Sequence, residues 1–191
     1  MKDVLTGKFV RLSAFDPEEM SKAFARWDRN SEYFRLLNSS VPQMKSAKSN
    51  LKWMEEEVGE MSPSSYYFSI RTLAEDKLLG ELGLDVVNWV GREAFVGLGI
   101  GETEHWNKGY GTDIMNVLLR YAFTELNLKR VSLSVFEYNP RAIRSYEKAG
   151  FRHEGQLRNV LNREGRRWNI VYMGILREEW LELNASRRDR N

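Results

Sequence analysis

Two short stretches carry the residues best placed for chemistry. In the first, Trp106-Asn107-Lys108-Gly109-Tyr110-Gly111-Thr112-Asp113, a glycine-rich turn opens a helix. Such a turn aims bare backbone N–H groups outward, and the helix dipole adds positive potential there, so the segment suits an anion such as a phosphate. Lys108 can offset phosphate charge, and Thr112 can add a hydroxyl at the helix start. In the second, Asn139-Pro140-Arg141-Ala142 begins another helix, which carries Tyr146 and ends at Gly150-Phe151. A phenol in that position can hold and deliver a proton. The first turn is neither a Walker A loop nor a dinucleotide fingerprint, because Ile114 stands where the third glycine of the fingerprint belongs.

The strand leading into the turn adds a third signal. Gly97, Gly99 and Gly101 alternate, which places them on one face of that strand. Glycine weakens a strand, so a bare face implies close approach of a ligand or of another part of the chain.

The elements that position these residues follow from periodicity and turn chemistry. Phe9 to Leu12 reads as a first strand. Asp16-Pro17-Glu18-Glu19 is a helix start, with a capping aspartate followed by proline and acids in the first turn. That helix runs through Met20, Phe24 and Trp27, and helix resumes from Ser31 through Leu37. Another helix spans 46–58 and stops at Gly59. Strands follow at Tyr66 to Thr72, within Lys77 to Trp89, and at Glu93 to Gly101, with a hairpin tip at Trp89-Val90-Gly91-Arg92. Gly109 to Leu126 has helical spacing at Ile114, Val117, Leu118, Tyr121 and Ala122. Val131, Leu133 and Val135 alternate as a strand, Asn139 to Ala149 is a short helix, and Phe151 to Leu161 with Trp168 to Leu176 closes the chain as paired strands around Arg163-Glu164-Gly165.

Composition sets the limits. The chain has 191 residues, 42% hydrophobic and 29% charged, with net charge +2. These values suit one globular domain with a real core, and no linker or repeat divides it. The expected boundaries are a single domain over 1–191, with a core at about 7–180 and a solvated basic tail at 185–191. The absence of cysteine excludes disulfides, thiolate metal sites and an acyl-cysteine intermediate. With two histidines, His105 and His153, no metal centre is expected. No apolar run reaches membrane-spanning length, and the near-neutral charge gives no sign of a nucleic-acid partner. A cytoplasmic location is the expectation.

Together these segments resemble the GNAT superfamily of acetyl-CoA-dependent N-acetyltransferases. The glycine turn is similar to that family's pyrophosphate-binding motif, and Asn139 to Phe151 is similar to its next motif. The likeness covers roughly 7–180. It is strongest to the branch that acetylates ribosomal-protein N-terminal alanine, through Glu154-Gly155-Gln156-Leu157-Arg158, Glu164-Gly165-Arg166-Arg167-Trp168, Met173-Gly174-Ile175-Leu176 and Glu179-Trp180. There are departures. Trp106 stands where much of the superfamily has arginine or glutamine, and Asn169 stands where relatives often have aspartate.

The resemblance implies a mixed α+β fold, with a central, mostly antiparallel twisted sheet of about seven strands, splayed at the cofactor groove and flanked by helices. It implies acetyl-CoA as cosubstrate, without a metal, held by Gly99, Ile100, Gly101, Trp106, Asn107, Lys108, Gly109, Tyr110, Gly111, Thr112 and Asn139. The amine acceptor would attack the thioester directly, with Tyr146 as general acid toward the leaving thiolate. Glu81, Asp85, Glu102 and Glu104 are the candidate bases, and Glu102 is named first because it follows the cofactor strand. Trp27, Tyr33, Phe34, Trp53 and Trp89 are candidates for an acceptor cleft. A peptide N-terminus is the leading acceptor class and a polyamine or other small amine the second. Relatives are often homodimers. A non-catalytic acyl-CoA-binding module, or a structural domain without cofactor, is the alternative class.

Overall fold

The structure is a computed structural model that describes residues 3–58 and 62–188. Seven strands form one sheet in the order β1-β2-β3-β4-β5-β7-β6. They are β1 (Val10–Ala14), β2 (Ser65–Thr72), β3 (Leu78–Asn88), β4 (Glu93–Ile100), β5 (Arg130–Phe136), β6 (Arg152–Arg163) and β7 (Arg166–Leu176). Every neighbouring pair is antiparallel except β4 and β5, which run parallel. That parallel contact is short: Glu93, Ala94 and Phe95 face Arg130, Val131 and Ser132, and beyond Phe95 the two strands part.

Helices cover both faces. On one face lie α1 (Pro17–Trp27), α2 (Ser31–Leu37) and α3 (Ala47–Val58), enclosing Met20, Ala23, Trp27, Tyr33, Met54 and Leu78. On the other lie α4 (Tyr110–Thr124) and α5 (Pro140–Ala149) over the larger core. Ile114, Leu118, Leu119 and Phe123 of α4 are fully buried there, each contributing about 1.5–3 kcal/mol relative to exposure.

The helix starts are chemically specified. Asp16 Oδ1 accepts from the N–H groups of Glu18 and Glu19, at 2.9 and 3.1 Å, and Asn30 caps α2 in the same way. Asp113, in the first turn of α4, accepts from the backbone N–H groups of Lys8, Phe9 and Val10, fixing the first strand to the helix that carries the glycine turn.

Two elements differ from the sequence reading. A short 3-10 turn at Thr103–His105 links β4 to the glycine turn. The basic C-terminal segment is helical rather than a free tail as far as Arg188, because α6 spans Arg177–Arg188 and Trp180 packs on Phe123 at 5.5 Å between ring centroids. The expected stop of α3 at Gly59 lies outside the described residues, as do residues 189–191. No helix among the described residues is long and apolar enough to cross a membrane.

Candidate active site

The parting of β4 and β5 opens a groove of about 350 Å³. Its walls bring together residues from both motifs: Gly97, Leu98 and Ile100 of β4, Asn107 to Thr112 without Lys108, Ser134 to Phe136 of β5, the α5 cap Asn139, and Arg141, Ala142, Arg144, Ser145 and Tyr146 of α5. Tyr33, Leu36 and Leu37 of α2 also line it. Its size is in the range of small-molecule sites, and its lining mixes apolar walls with convergent polar groups.

The glycine turn is shaped as the sequence implies. Gly109 has φ +89° at the N-cap of α4, a conformation that costs a side-chain-bearing residue free energy, and Asn107 adopts φ +60°. No side chain caps α4 at Gly109, so the first N–H groups of the helix are left for an anion.

Trp106 supports this turn in two ways. Its Nε1 donates to the Ile100 carbonyl at 2.8 Å, and its ring carries the Arg141 guanidinium at 3.6 Å. Arg141 and Arg144 supply positive charge to the groove wall; composition and motif reading missed both, although they lie inside the second motif. Lys108 is exposed and does not line the groove. The Thr112 hydroxyl lies 3.0 Å from Ser145 Oγ, tying α4 to α5, and Asn139 Oδ1 caps α5 by accepting from the Ala142 N–H at 3.2 Å.

The bare face of β4 has two uses. Gly97 opens on free space beside the groove. Gly101 and Gly99 instead make room for the chain itself. A Cβ on Gly101 would fall about 2 Å from the Trp27 ring, and one on Gly99 would lie 2.8 Å from Glu81 Oε1, 3.1 Å from Leu37 Cδ1 and 3.2 Å from the Tyr33 oxygen. The Gly101 N–H already donates to the Leu79 carbonyl at 2.9 Å.

Tyr146 lines the groove and is buried, packed near Phe151 at 6.1 Å. Burial pushes its phenol up to about 12, so it is protonated at neutral pH. The same dry surroundings disfavour a free thiolate, which keeps a proton transfer from phenol to sulfur chemically matched.

Glu102 is not arranged as the expected base. It does not line the groove, and its carboxylate accepts from Arg26 at 2.5 Å and from Trp27 Nε1 at 2.8 Å, with Lys77 at 3.2 Å. Burial works to raise its pKa, but the hydrogen bonds from Trp27, Arg26 and Lys77 outweigh it and hold the group down to about 2. A carboxylate so held is a poor proton acceptor. Glu104 is paired with the same Lys77 at 2.6 Å. Among the expected acceptor-cleft aromatics, Trp27 and Tyr33 are buried in the smaller core, while Trp89 is exposed at the β3–β4 hairpin tip.

Residues 10–152 match the family described as acetyltransferase (GNAT) domain. The chain belongs to this family. Acetyl-CoA is the acyl donor of GNAT acetyltransferases, and the groove suits it: unpaired backbone along β4, free N–H groups at the turn, and arginines in the wall.

Similar proteins include the spermidine N(1)-acetyltransferase of Vibrio cholerae, 35% identical over 56% of this chain and 62% of its own length. An uncharacterized SPbeta prophage-derived N-acetyltransferase of Bacillus subtilis, YokL, is 28% identical over 94% of this chain and 96% of its own length. Among solved structures, spermidine N-acetyltransferase from Vibrio cholerae, in complex with CoA and spermine, superposes with TM-score 0.77 at 26% identity, covering 90% of this chain and 98% of that one.

Proposed function

We propose that the protein transfers the acetyl group of acetyl-CoA to a primary amine, and that the amine is a peptide or protein N-terminus. One observation carries the transfer reading: β4 leaves β5 after Phe95, and the groove so opened ends on the glycine turn with Tyr146 in its wall. The pantetheine arm would pair with the β4 backbone, the pyrophosphate would sit on the N–H groups from Asn107 to Thr112, and Arg141 and Arg144 would balance its charge. Tyr146 is the general acid that protonates the departing sulfur.

Charge bookkeeping favours a singly charged acceptor. A polyamine carries several ammonium groups and asks for several free carboxylates. Here Glu102 is held by Arg26 and Lys77, Glu104 by Lys77, Glu19 by Arg71 and Glu164 by Arg35. A polyamine acceptor is the second reading, favoured by the likeness to the Vibrio cholerae spermidine enzyme. The test is thiol release from acetyl-CoA with short peptides bearing free N-terminal Ala or Ser, against spermidine and spermine. Higher kcat/KM with peptides supports the first reading and higher kcat/KM with polyamines the second. Failure with every amine would sink acetyl transfer itself.

A further inference from the structure

A line of polar side chains crosses the sheet beside the groove and is used by nothing described so far. Ser13 pairs with Ser69, Ser69 with Glu81, and Glu81 with Gly99. Directly opposed residues of antiparallel strands share a face, so these four form one row. Tyr33 of α2 lies over its end. Three features set the row apart. The Tyr33 hydroxyl and Ser69 Oγ are buried without hydrogen-bond partners. No described donor engages the Glu81 carboxylate, and burial pushes it up to about 7. And Gly99, at the end of the row, has no side chain to separate Glu81 from the edge of β4 that borders the groove.

Buried polar groups left without partners carry a desolvation cost of about 1–3 kcal/mol each. The Tyr33 hydroxyl beside the unpaired Glu81 carboxylate forms a pair that one ligand could satisfy, whereas Ser69 lies two strands from Gly99 and stands outside it. The Tyr33 oxygen and Glu81 Oε1 bracket the point where a Gly99 Cβ would stand, and Tyr33 and Leu37 also line the groove. Glu81 and Gly99 do not themselves line the groove, so the row reaches it through Tyr33 and Leu37. A group that donates several hydrogen bonds and carries one positive charge fits it: a primary ammonium.

We propose that Glu81, with Tyr33 beside it, receives the acceptor's ammonium group over Gly99 and takes its proton. This rests on the acetyl-transfer reading and assigns that reaction its base. The ammonium gives one proton to the Glu81 carboxylate, and the freed nitrogen lone pair forms the bond to the thioester carbon. As the C–S bond breaks, its electron pair leaves on sulfur, which takes the phenol proton of Tyr146. The second nitrogen proton returns to Tyr146. The proton on Glu81 passes to water, and the sum is amide, thiol and one released proton.

The same row speaks to substrate class. A peptide α-amine has a pKa near ~7.7–8.0 and a lysine-type amine near ~10.4. Burial raises the Glu81 carboxylate toward the former, so taking a proton from an α-ammonium is less uphill than taking one from a lysine-type ammonium. The titratable groups facing Glu81 are Tyr33 from α2 and, behind it, Asp28 at the end of α1; β4 presents only Gly99 there.

The test is Glu81→Gln with acetyl-CoA and a peptide amine, read as kcat/KM against pH, with acetyl-CoA affinity measured by calorimetry as the control for folding. The expected result is a loss of at least 100-fold at pH 7, coenzyme affinity within twofold of wild type, and disappearance of the rise in kcat/KM centred near pH 7. Gly99→Ala, which drives a Cβ into the carboxylate, should lower turnover in the same direction. If the wild type turns over and Glu81→Gln stays within threefold with an unchanged profile, the base assignment is overturned while acetyl transfer stands. If the wild type binds acetyl-CoA and acetylates no amine, acetyl transfer fails and the assignment falls with it.

Discussion

Glu102 and Glu81 both lie near the end of β4 against the α1–α2 layer, and they are opposites in their partners. Glu102 has three cationic or N–H partners and is held down to about 2; Glu81 has none among the described residues and is pushed up to about 7. Both carboxylates are partly desolvated, so burial alone does not separate them. What separates them is whether the fold supplies donors. Glu102 joins α1, β3 and the start of the glycine turn through Arg26, Trp27 and Lys77. Glu81 is left with capacity to bind something that is not part of the chain.

The largest expected effect that could break this contrast is the loss of turnover in Glu81→Gln set out above. Next is Tyr146→Phe, which should lower kcat about 10- to 100-fold while acetyl-CoA affinity stays within twofold, because only the proton donor is removed; single-turnover kinetics with calorimetry would read both. Gly109→Ala forces a side chain onto φ +89° and should weaken acetyl-CoA binding about tenfold, at about 1–2 kcal/mol of strain, with little effect on the acceptor's KM.

Smaller effects sharpen the contrast through stability. Glu81 has a folded pKa raised above its ordinary 4.5, so the folded state holds a proton the unfolded chain releases, and stability falls as pH rises from about 4.5 to 7. Glu81→Gln should therefore raise Tm at pH 8, by about 3 °C or more, and leave it nearly unchanged at pH 4.5. Glu102 has the reverse sign: its stabilisation is present above about 4.5 and fades as pH falls toward 2. Glu102→Gln should lower Tm at pH 7 while kcat/KM changes less than threefold. A Glu102→Gln enzyme that lost turnover without losing Tm would reverse the two assignments.

The glycine turn and the helix starts are legible in the sequence because their signals are local. Gly109, Asp16 and Asn139 act within a few residues of themselves, and hydrophobic periodicity placed β3, α4 and β5 within a residue or two of their ends. The arrangement around Glu81 is less so: the sequence offers Glu81 and Tyr33 as separate candidates, and only distant pairing brings them together. Glu81 meets Ser69 and Gly99 only through strand register, and Tyr33 reaches them from a helix more than thirty residues earlier in the chain. Nearness to the cofactor strand favoured Glu102, and nothing local announces that Arg26 and Lys77 neutralise it. The alternating glycines leave a ligand and the chain itself as alternatives, and the structure divides them: Gly97 is open, while Gly99 makes room for Glu81, Leu37 and Tyr33, and Gly101 for Trp27. The helical end of the chain was missed because α6 packs along only part of its length, where Trp180 meets Phe123.

The short contact between β4 and β5 has a mechanical consequence. Three residue pairs join one half-sheet, β1 to β4, to the other, β5 with β7 and β6, so the backbone seam of the domain is largely open. Other threads cross it at its surface, where Tyr138 donates to the Arg35 carbonyl and Arg163 to the carbonyls of Asn38 and Ser40. A coenzyme arm bonded to β4 would act as a further strut across that seam, making the ligand a structural member as well as a reactant. At a hundredfold excess over its Kd it would add about 2.7 kcal/mol to the folded state, and amide exchange at 96–100 should slow most.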